Sequence, residues 1–277
     1  MGILNVTPDS FSDAGEHSNP DDALARVRTI VEEGARIVDV GGESTRPGAA
    51  RVPPDVQLQR IIPVIERIRA EGIDVLISID TTRADVARPA LEAGATIVND
   101  VSGATEDPDI LQAVAAAGAG LVLMHRLRPP DQDRYSHRYD PDGAPDYSDA
   151  GGVVHAVRAA LARSAEMAIA AGVARESIVL DPGLGFGKTV EQNFALITGM
   201  GTLGELGYPL LSGASRKSFI GKVTGIDEPR QRVHASIAVS VAHYLAGVRI
   251  FRIHDVRANA QALTVAATIA AGTEHPE

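Results

Sequence analysis

Short runs of Ile, Val and Leu recur along the chain, separated by longer stretches whose apolar positions fall three and four apart. The runs are Gly2–Asn5, Arg36–Gly41, Asp74–Ile79, Thr96–Asp100, Gly120–Met124, Ser177–Asp181, Tyr208–Gly213 and Arg249–His254. Most read as continuously apolar rather than alternating, which fits parallel strands covered on both faces. The longer stretches, among them Asp21–Glu33, Asp55–Ala70, Arg83–Ala93 and Pro108–Ala117, have helical periodicity. Gly34, Gly72, Gly94, Gly118 and Gly172 close such stretches, where a left-handed residue is least strained as glycine. Eight strands, each followed by a helix, predict a closed (β/α)8 TIM barrel of the α/β class, a single domain over residues 1–277. An open doubly wound sheet is the alternative, but nothing in the chain suggests a second domain.

Arg126–Gly152 breaks this rhythm. It holds four Pro, three Tyr and five Arg or His residues without helical periodicity. It follows the fifth strand, on the face where such loops build active sites. The expectation is a solvated surface insertion rather than a lid in contact with substrate.

Composition narrows the function. Aromatic residues make up only 4% of the chain and there is no Trp, so the core must be built from small and branched side chains. A net charge of −10 excludes a broad nucleic-acid surface, although one local basic pocket can still hold a small anion. The absence of Cys removes thiolate metal sites and disulfides. No apolar run reaches the ~18 residues of a membrane span, and Met1–Asn5 lacks a signal peptide's basic and apolar regions, so a cytoplasmic location is expected.

The residues at the ends of the strands carry the chemistry. They are Asn5, Gly41-Gly42-Glu43, Asp80, Asn99-Asp100, His125, Asp181, Ser212-Gly213, and Arg252 with His254. In any single strand, an Asp at this place is commonly the cap of the next helix, and Asp100 and Asp255 fit that reading. Nearly every strand nevertheless delivers a polar side chain to one rim. Three loops add glycine amides, hydroxyls and basic groups suited to phosphate oxygens or polar ring edges: 7–13, 41–48 and 212–218. Gly183–Thr189 imitates a nucleotide phosphate loop. The true spacing, however, would need glycine where Pro182 stands, so ATP binding is not expected.

Eight segments, in order, resemble the dihydropteroate synthase family: MGILNVTPDSFSD, DVGGESTRPGA, SIDTT, IVNDVSG, VLMH, LDPGLGFGKT, LLSGASRKSFIG and GVRIFRIHD. The resemblance implies the same barrel. It also implies attack of the p-aminobenzoate amine on the methylene carbon of 6-hydroxymethyl-7,8-dihydropterin pyrophosphate, with SN1-like loss of pyrophosphate. By the same resemblance, Asp80, Asn99, Asp181 and Lys217 are expected to bind the pterin ring, walled by Val101, Met124, Phe186 and Gly213. Thr45, Arg252 and His254 are expected to hold pyrophosphate, with Asn5 touching Mg²⁺. Phe11, Thr45, Pro47, Lys217 and Ser218 match the p-aminobenzoate site. Lys217, Arg252, His254 and Asn5 are the expected catalytic set, and sulfonamides, which mimic p-aminobenzoate, are expected inhibitors.

The chemistry suits these residue types. A carboxylate accepts side-by-side N–H donors from a pterin's pyrimidine edge, so Asp80 and Asp181 read as recognisers rather than as acid and base. An arylamine is already neutral at pH 7, and the barrier lies in the growing charge on the leaving group. The chain departs from the family's pattern in having almost nothing before Met1 and in running on through Arg126–Gly152.

Two other readings keep the ring pocket: a pterin-binding methyltransferase and a non-catalytic pterin-binding barrel. A methyltransferase would not need the Ser-Arg-Lys-Ser loop at 215–218 or the Arg252–His254 pair. A non-catalytic barrel keeping Asp80, Asn99 and Asp181 would tolerate loss of the loops at 9–13 and 44–48, which are complete here. A homodimer is expected through Arg230–Gly247, a helix with Val233, Ile237, Val241 and Leu245 on one face, although that stripe could equally face the barrel.

Overall fold

A computed structural model of the chain describes residues 1–7 and 20–272. Its strands are β1 (Gly2–Asn5), β2 (Ile37–Gly41), β3 (Leu76–Asp80), β4 (Ile97–Asp100), β5 (Gly120–Met124), β6 (Ile178–Asp181), β7 (Leu211–Ser212) and β8 (Ile250–Phe251). The helices are α1 (Pro20–Glu32), α2 (Pro54–Ala70), α3 (Ala84–Glu92), α4 (Asp109–Ala117), α5 (Val153–Ala170), α6 (Val190–Thr198), α7 (Met200–Gly204), α8 (Ser218–Thr224), α9 (Val233–Leu245) and α10 (Val256–Ala271). No helix among the described residues is long and apolar enough to cross a membrane.

Strands β1 to β6 pair in sequence order, all parallel, and β7 pairs with β8. Single bridges close the ring, from Leu180 to Leu210 and from Gly2 to Ile253. The fold is the (β/α)8 barrel that the sequence predicted. Its last two strands are shorter than the apolar runs suggested. Pro209, inside the seventh run, has no N–H for a ladder, and only its carbonyl takes part, accepting from Leu180 N at 2.9 Å.

The strands also alternate more than a first reading of the sequence indicated. Val38, Val40, Ile77, Ile79 and Val98 are fully buried against a helix layer that includes Ile30, Ile61, Ile65 and Ile68. Between them, Asp39, Ser78 and Asn99 turn into the barrel, where they hydrogen-bond to one another. Each buried aliphatic side chain contributes roughly 1.5–3 kcal/mol, and truncating one such as Ile65 to Ala would cost about 2–5 kcal/mol. This apolar outer layer makes a polar barrel interior tolerable. Register then sets the rim: Asn5 lies opposite Gly41, Gly41 opposite Asp80, and Asp80 opposite Asn99, one layer across four strands.

Helix α9 presents Ser236, Ser240 and His243 to the barrel, all buried. Ser240 donates to Asn259 at 2.8 Å, and His243 Nδ1 lies 2.7 Å from the Ser212 hydroxyl. Burial holds the imidazole neutral, with its pKa pushed down to about 4. The apolar stripe of Val233, Ile237 and Val241 is therefore only half-buried, and Leu245 is 59% exposed. Packing of that stripe on the barrel, the alternative reading, is not what the structure shows.

Candidate active site

Two cavities meet at the C-terminal ends of the strands. The larger, about 460 Å³, is lined by Asn5, Thr45, Pro47, Ser215, Lys217, Ser218, Arg252 and His254, among others. The narrower, about 20 Å³, is a slot between Asn99, Val101, Met124, Asp181, Phe186, Gly213, Lys217 and Arg252. Thr45, Gly213, Lys217 and Arg252 border both. Phe11, expected beside p-aminobenzoate, lies outside the described residues.

The slot is built from strand ends. Val101, Met124 and Phe186 form an apolar cluster separate from the main core. Asp181 ends β6, and its Oδ1 accepts the Gly183 amide at 2.7 Å. Burial raises the Asp181 pKa, with that amide and Lys217 opposing the rise. Gly183 has φ +67°, and a Cβ there would lie 1.9 Å from the His125 carbonyl, so only glycine fits. The Lys217 ammonium sits 4.0 Å from the centroid of the Phe186 ring. The slot holds about one water, so a ring entering it must part Lys217 from Phe186. Burial, and then Arg252, lower the Lys217 pKa to about 8.

Arg252 forms the slot's charged edge. Its Nε donates to Asp39 at 2.6 Å and its Nη2 to Asp80 at 2.7 Å. Burial works against the charged guanidinium, but Asp39 and Asp80 more than offset it and raise its pKa. Asp80 is therefore no free recogniser. One of its oxygens is taken by Arg252, and the other, Oδ1, is buried with no partner among the described residues, available to a ring N–H. Burial lifts the Asp80 pKa to about 7, with Arg252 opposing and Asp39, Glu43 and Asp100 adding to the rise.

On the anion side, His254 Nδ1 lies 3.0 Å from the Ser215 hydroxyl. Burial, followed by Arg216, Arg252, Lys217 and Arg46, holds the imidazole neutral with its pKa pushed down to about 3. His254 can thus contribute a hydrogen-bond donor to pyrophosphate without bringing a charge. Arg216 takes φ 60°, unusual outside glycine, and is held there by Asp255 and Ser236. Asp100 caps its own turn through the amides of Ser102 and Ala104, whereas Asp255 pairs with Arg216 instead of capping α10.

Asn5 lines the larger cavity, and no cluster of three His, Cys, Asp or Glu residues able to hold a metal occurs among the described residues. The Asn5 amide oxygen could give a diphosphate-borne Mg²⁺ one neutral ligand, the rest coming from the substrate and water.

The pterin binding enzyme family matches residues 1–254. The dihydropteroate synthase of Mycobacterium leprae is 49% identical over 271 residues, 96% of this chain and 91% of that protein. The chain belongs to the dihydropteroate synthase family. Among solved structures, a Xanthomonas albilineans dihydropteroate synthase with 4-aminobenzoic acid superposes with a TM-score of 0.87 at 42% identity, covering 98% of this chain and 92% of that one. Another from the same organism, in complex with 7,8-dihydropteroate, gives 0.84 at 38% identity, covering 98% and 93%. Members of the family are transferases, and this chain's matched region includes every site residue named above.

Most residues of the loop at 126–152 are exposed, but Pro130, Asp133, Ser136, Pro145 and Tyr147 are buried. The loop runs through 3₁₀ turns at Pro130–Gln132, Ser136–Arg138, Pro141–Gly143 and Ser148–Ala150 and is tied to the Gly183–Thr189 loop. Tyr147 donates to the Gly187 carbonyl at 2.7 Å, Asp133 accepts the Gly187 amide at 2.8 Å, and Asn193 donates to Ser136 at 3.1 Å. Its Tyr135 lines the larger cavity. These ties account for the burial of Asp133, Ser136 and Tyr147 within the loop. Lys188, the lysine of the false phosphate loop, is fully buried and binds carbonyls rather than a nucleotide.

Sequence reasoning also missed Asp39 and Tyr135, whereas Ser215 lies in the 212–218 loop it had singled out. Asp39 carried a usable signal, a carboxylate inside the apolar run Ile37-Val38-Asp39-Val40. Tyr135 carried none, since nothing local distinguishes it from Tyr139.

Proposed function

We propose that the slot holds the pterin ring of 6-hydroxymethyl-7,8-dihydropterin pyrophosphate, that the larger cavity holds its pyrophosphate together with p-aminobenzoate, and that the two substrates react where the cavities meet. The observation that carries this reading is the shared border of Thr45, Gly213, Lys217 and Arg252, which leaves one place where a ring substituent and an amine can approach each other.

Asp181, Asn99 and Lys217, with the spare oxygen of Asp80, hydrogen-bond the ring edge, while Val101, Met124 and Phe186 cover its faces. Arg252, the neutral His254 and Thr45 face the leaving group. The carbon–oxygen bond breaks with its electron pair departing on pyrophosphate, and the ring system spreads the positive charge left on the methylene. The arylamine lone pair then forms the carbon–nitrogen bond, and the amine loses a proton to solvent or to the departing diphosphate. Pro47 and Ser218 hold the p-aminobenzoate. Asn5 would hold Mg²⁺, which when bound offsets diphosphate charge.

A pterin–p-aminobenzoate product should form as pyrophosphate is released when both substrates are present. Pyrophosphate release no faster with p-aminobenzoate than without it, with no such product, would sink the two-substrate reading.

The reading extends to a homodimer. Leu245 at the end of α9, and Val265 and Ile269 on α10, are 59%, 59% and 69% exposed, large apolar side chains on two helices packed together. The half-buried stripe of Val233, Ile237 and Val241 continues this surface, and a second copy of the chain is its proposed cover.

A further inference from the structure

We propose that Asp39 is a positioning residue that aims Arg252 at the leaving pyrophosphate. The inference rests on the reading above for the role of Arg252, and goes beyond it in assigning Asp39.

Asp39 is fully buried within β2 and lines neither cavity. It therefore cannot touch a substrate directly. Both of its oxygens are engaged: Oδ1 accepts the Ser78 hydroxyl at 2.6 Å, and Oδ2 accepts Asn99 Nδ2 at 3.1 Å and Arg252 Nε at 2.6 Å. A carboxylate present only to balance charge would be redundant, because Asp80 already pairs with the same guanidinium. The two contacts differ in kind. Asp80 leaves one oxygen unpartnered, whereas Asp39 is fixed by donors from β3 and β4 as well as by Arg252 itself.

A guanidinium is planar, so anchoring Nε on Asp39 and Nη2 on Asp80 fixes its orientation. Nη1 is then the nitrogen with no hydrogen-bond partner among the described residues, on a side chain that borders both cavities. Ser78 and Asn99 hold Asp39, Asp39 and Asp80 hold Arg252, and Nη1 is left for a ligand oxygen. Removal of the carboxylate would let the guanidinium swing toward Asp80, blurring a contact whose value lies in being in place before charge develops.

The test combines single and double variants, read by kcat, by KM for p-aminobenzoate, and by calorimetric affinity for inorganic pyrophosphate. Arg252→Ala should lower kcat by on the order of 10²–10³. Asp39→Asn should lower it by about 10–100-fold, the usual size of a supporting contact. The double variant should be no worse than Arg252→Ala alone, within about threefold, because Asp39 acts through Arg252. KM for p-aminobenzoate should stay within about twofold in Asp39→Asn, which a general loosening of the barrel would not allow. Pyrophosphate affinity should fall in both single variants without the losses multiplying.

Losses that multiply, or a matching rise in KM, would overturn the proposal and leave Asp39 as a structural counter-ion. If Asp39→Asn fails to fold, Ser78→Ala loosens Asp39 without changing charge. A drop in kcat that disappears in the Arg252→Ala background is then expected, and a drop that persists there overturns the proposal. If the wild-type chain releases no pyrophosphate from its substrates, the reading of the activity fails. Pyrophosphate affinity still decides the role of Asp39, which an unchanged value in Asp39→Asn would refute.

Discussion

The Lys188 ammonium lies 3.0 Å from Nδ1 of His125, inside a loop whose carbonyls at Gly183 and Phe186 it binds at 2.9 and 2.8 Å. Burial, with the lysine beside it, holds His125 neutral, so Nδ1 is free to accept. The lysine thus acts as an internal hydrogen-bond donor for the loop that carries Phe186, with burial lowering its pKa to about 7. Lys188→Met keeps much of the shape but strands at least two buried carbonyls, at about 1–3 kcal/mol each. Urea unfolding should show a loss of roughly 2–6 kcal/mol, with weaker pterin binding. A change below about 1 kcal/mol would mean that the loop holds itself without this donor.

Asp133 ties the 126–152 loop to Gly187 and also accepts the Arg134 amide and the Tyr139 hydroxyl. Asp133→Ala should free the loop, raise KM for p-aminobenzoate several-fold because Tyr135 lines that cavity, and create new protease cuts within 126–152. An unchanged digestion pattern would show that Tyr147 and Ser136 suffice.

Lys217 and His254 should separate binding from departure. Lys217 borders both cavities, so Lys217→Ala should weaken pterin and p-aminobenzoate together, while His254→Ala lowers turnover and spares the affinity of a pterin without pyrophosphate. Arg252→Ala should lower both turnover and ring affinity, since it also borders the slot and neutralises Asp80. Titrating each variant with that truncated pterin distinguishes the three. Equal losses in His254→Ala and Lys217→Ala would contradict the division.

Ring recognition by Asp80 needs the carboxylate. Burial raises its pKa to about 7, so the ionised form is lost as pH falls through that value. Pterin affinity should therefore decline below about pH 7, approaching about tenfold per unit. Asp80→Asn should bind weakly at every pH without that limb, leaving the separate weakening as Lys217 loses its charge when pH rises through about 8. His254, neutral down to about pH 3, contributes no limb in this range. Calorimetry between pH 5.5 and 8.5 would show the limb, and its survival in Asp80→Asn would move the assignment elsewhere.

The dimer is testable through its apolar face. Ile269→Lys together with Leu245→Lys should yield a monomer by light scattering at micromolar concentration, with the barrel's circular dichroism unchanged. A wild-type monomer under the same conditions would refute the dimer itself.

Much of this architecture was legible in the chain alone. The eight apolar runs marked eight strands, because a strand buried on its outer face must be apolar wherever it meets a helix. The polar residues ending those runs marked the rim, because parallel strands deliver all their C-terminal ends to one side. The loops at 41–48 and 212–218 were recognisable by residue type, since hydroxyls, glycines and basic groups in short order have few other uses.

What the sequence left open depends on contacts between distant positions. Asp39 and Arg252 lie 213 residues apart and meet only because barrel closure brings β8 beside β1 and near β2. Nothing local to either residue reveals that meeting. Tyr147 and Asp133 read as surface residues until the loop folds onto Gly187, and Lys188 imitates a nucleotide motif until its side chain turns inward. Apolar periodicity along α9 pointed to Val233, Ile237 and Val241, and the helix turns Ser236, Ser240 and His243 to the barrel, where the Arg216 amide, Asn259 and Ser212 in turn offer them partners. Local pattern fixes which residues can be buried. Which polar groups satisfy one another inside is decided by the closed tertiary structure, since an unpartnered buried polar group costs more than an exposed aliphatic side chain.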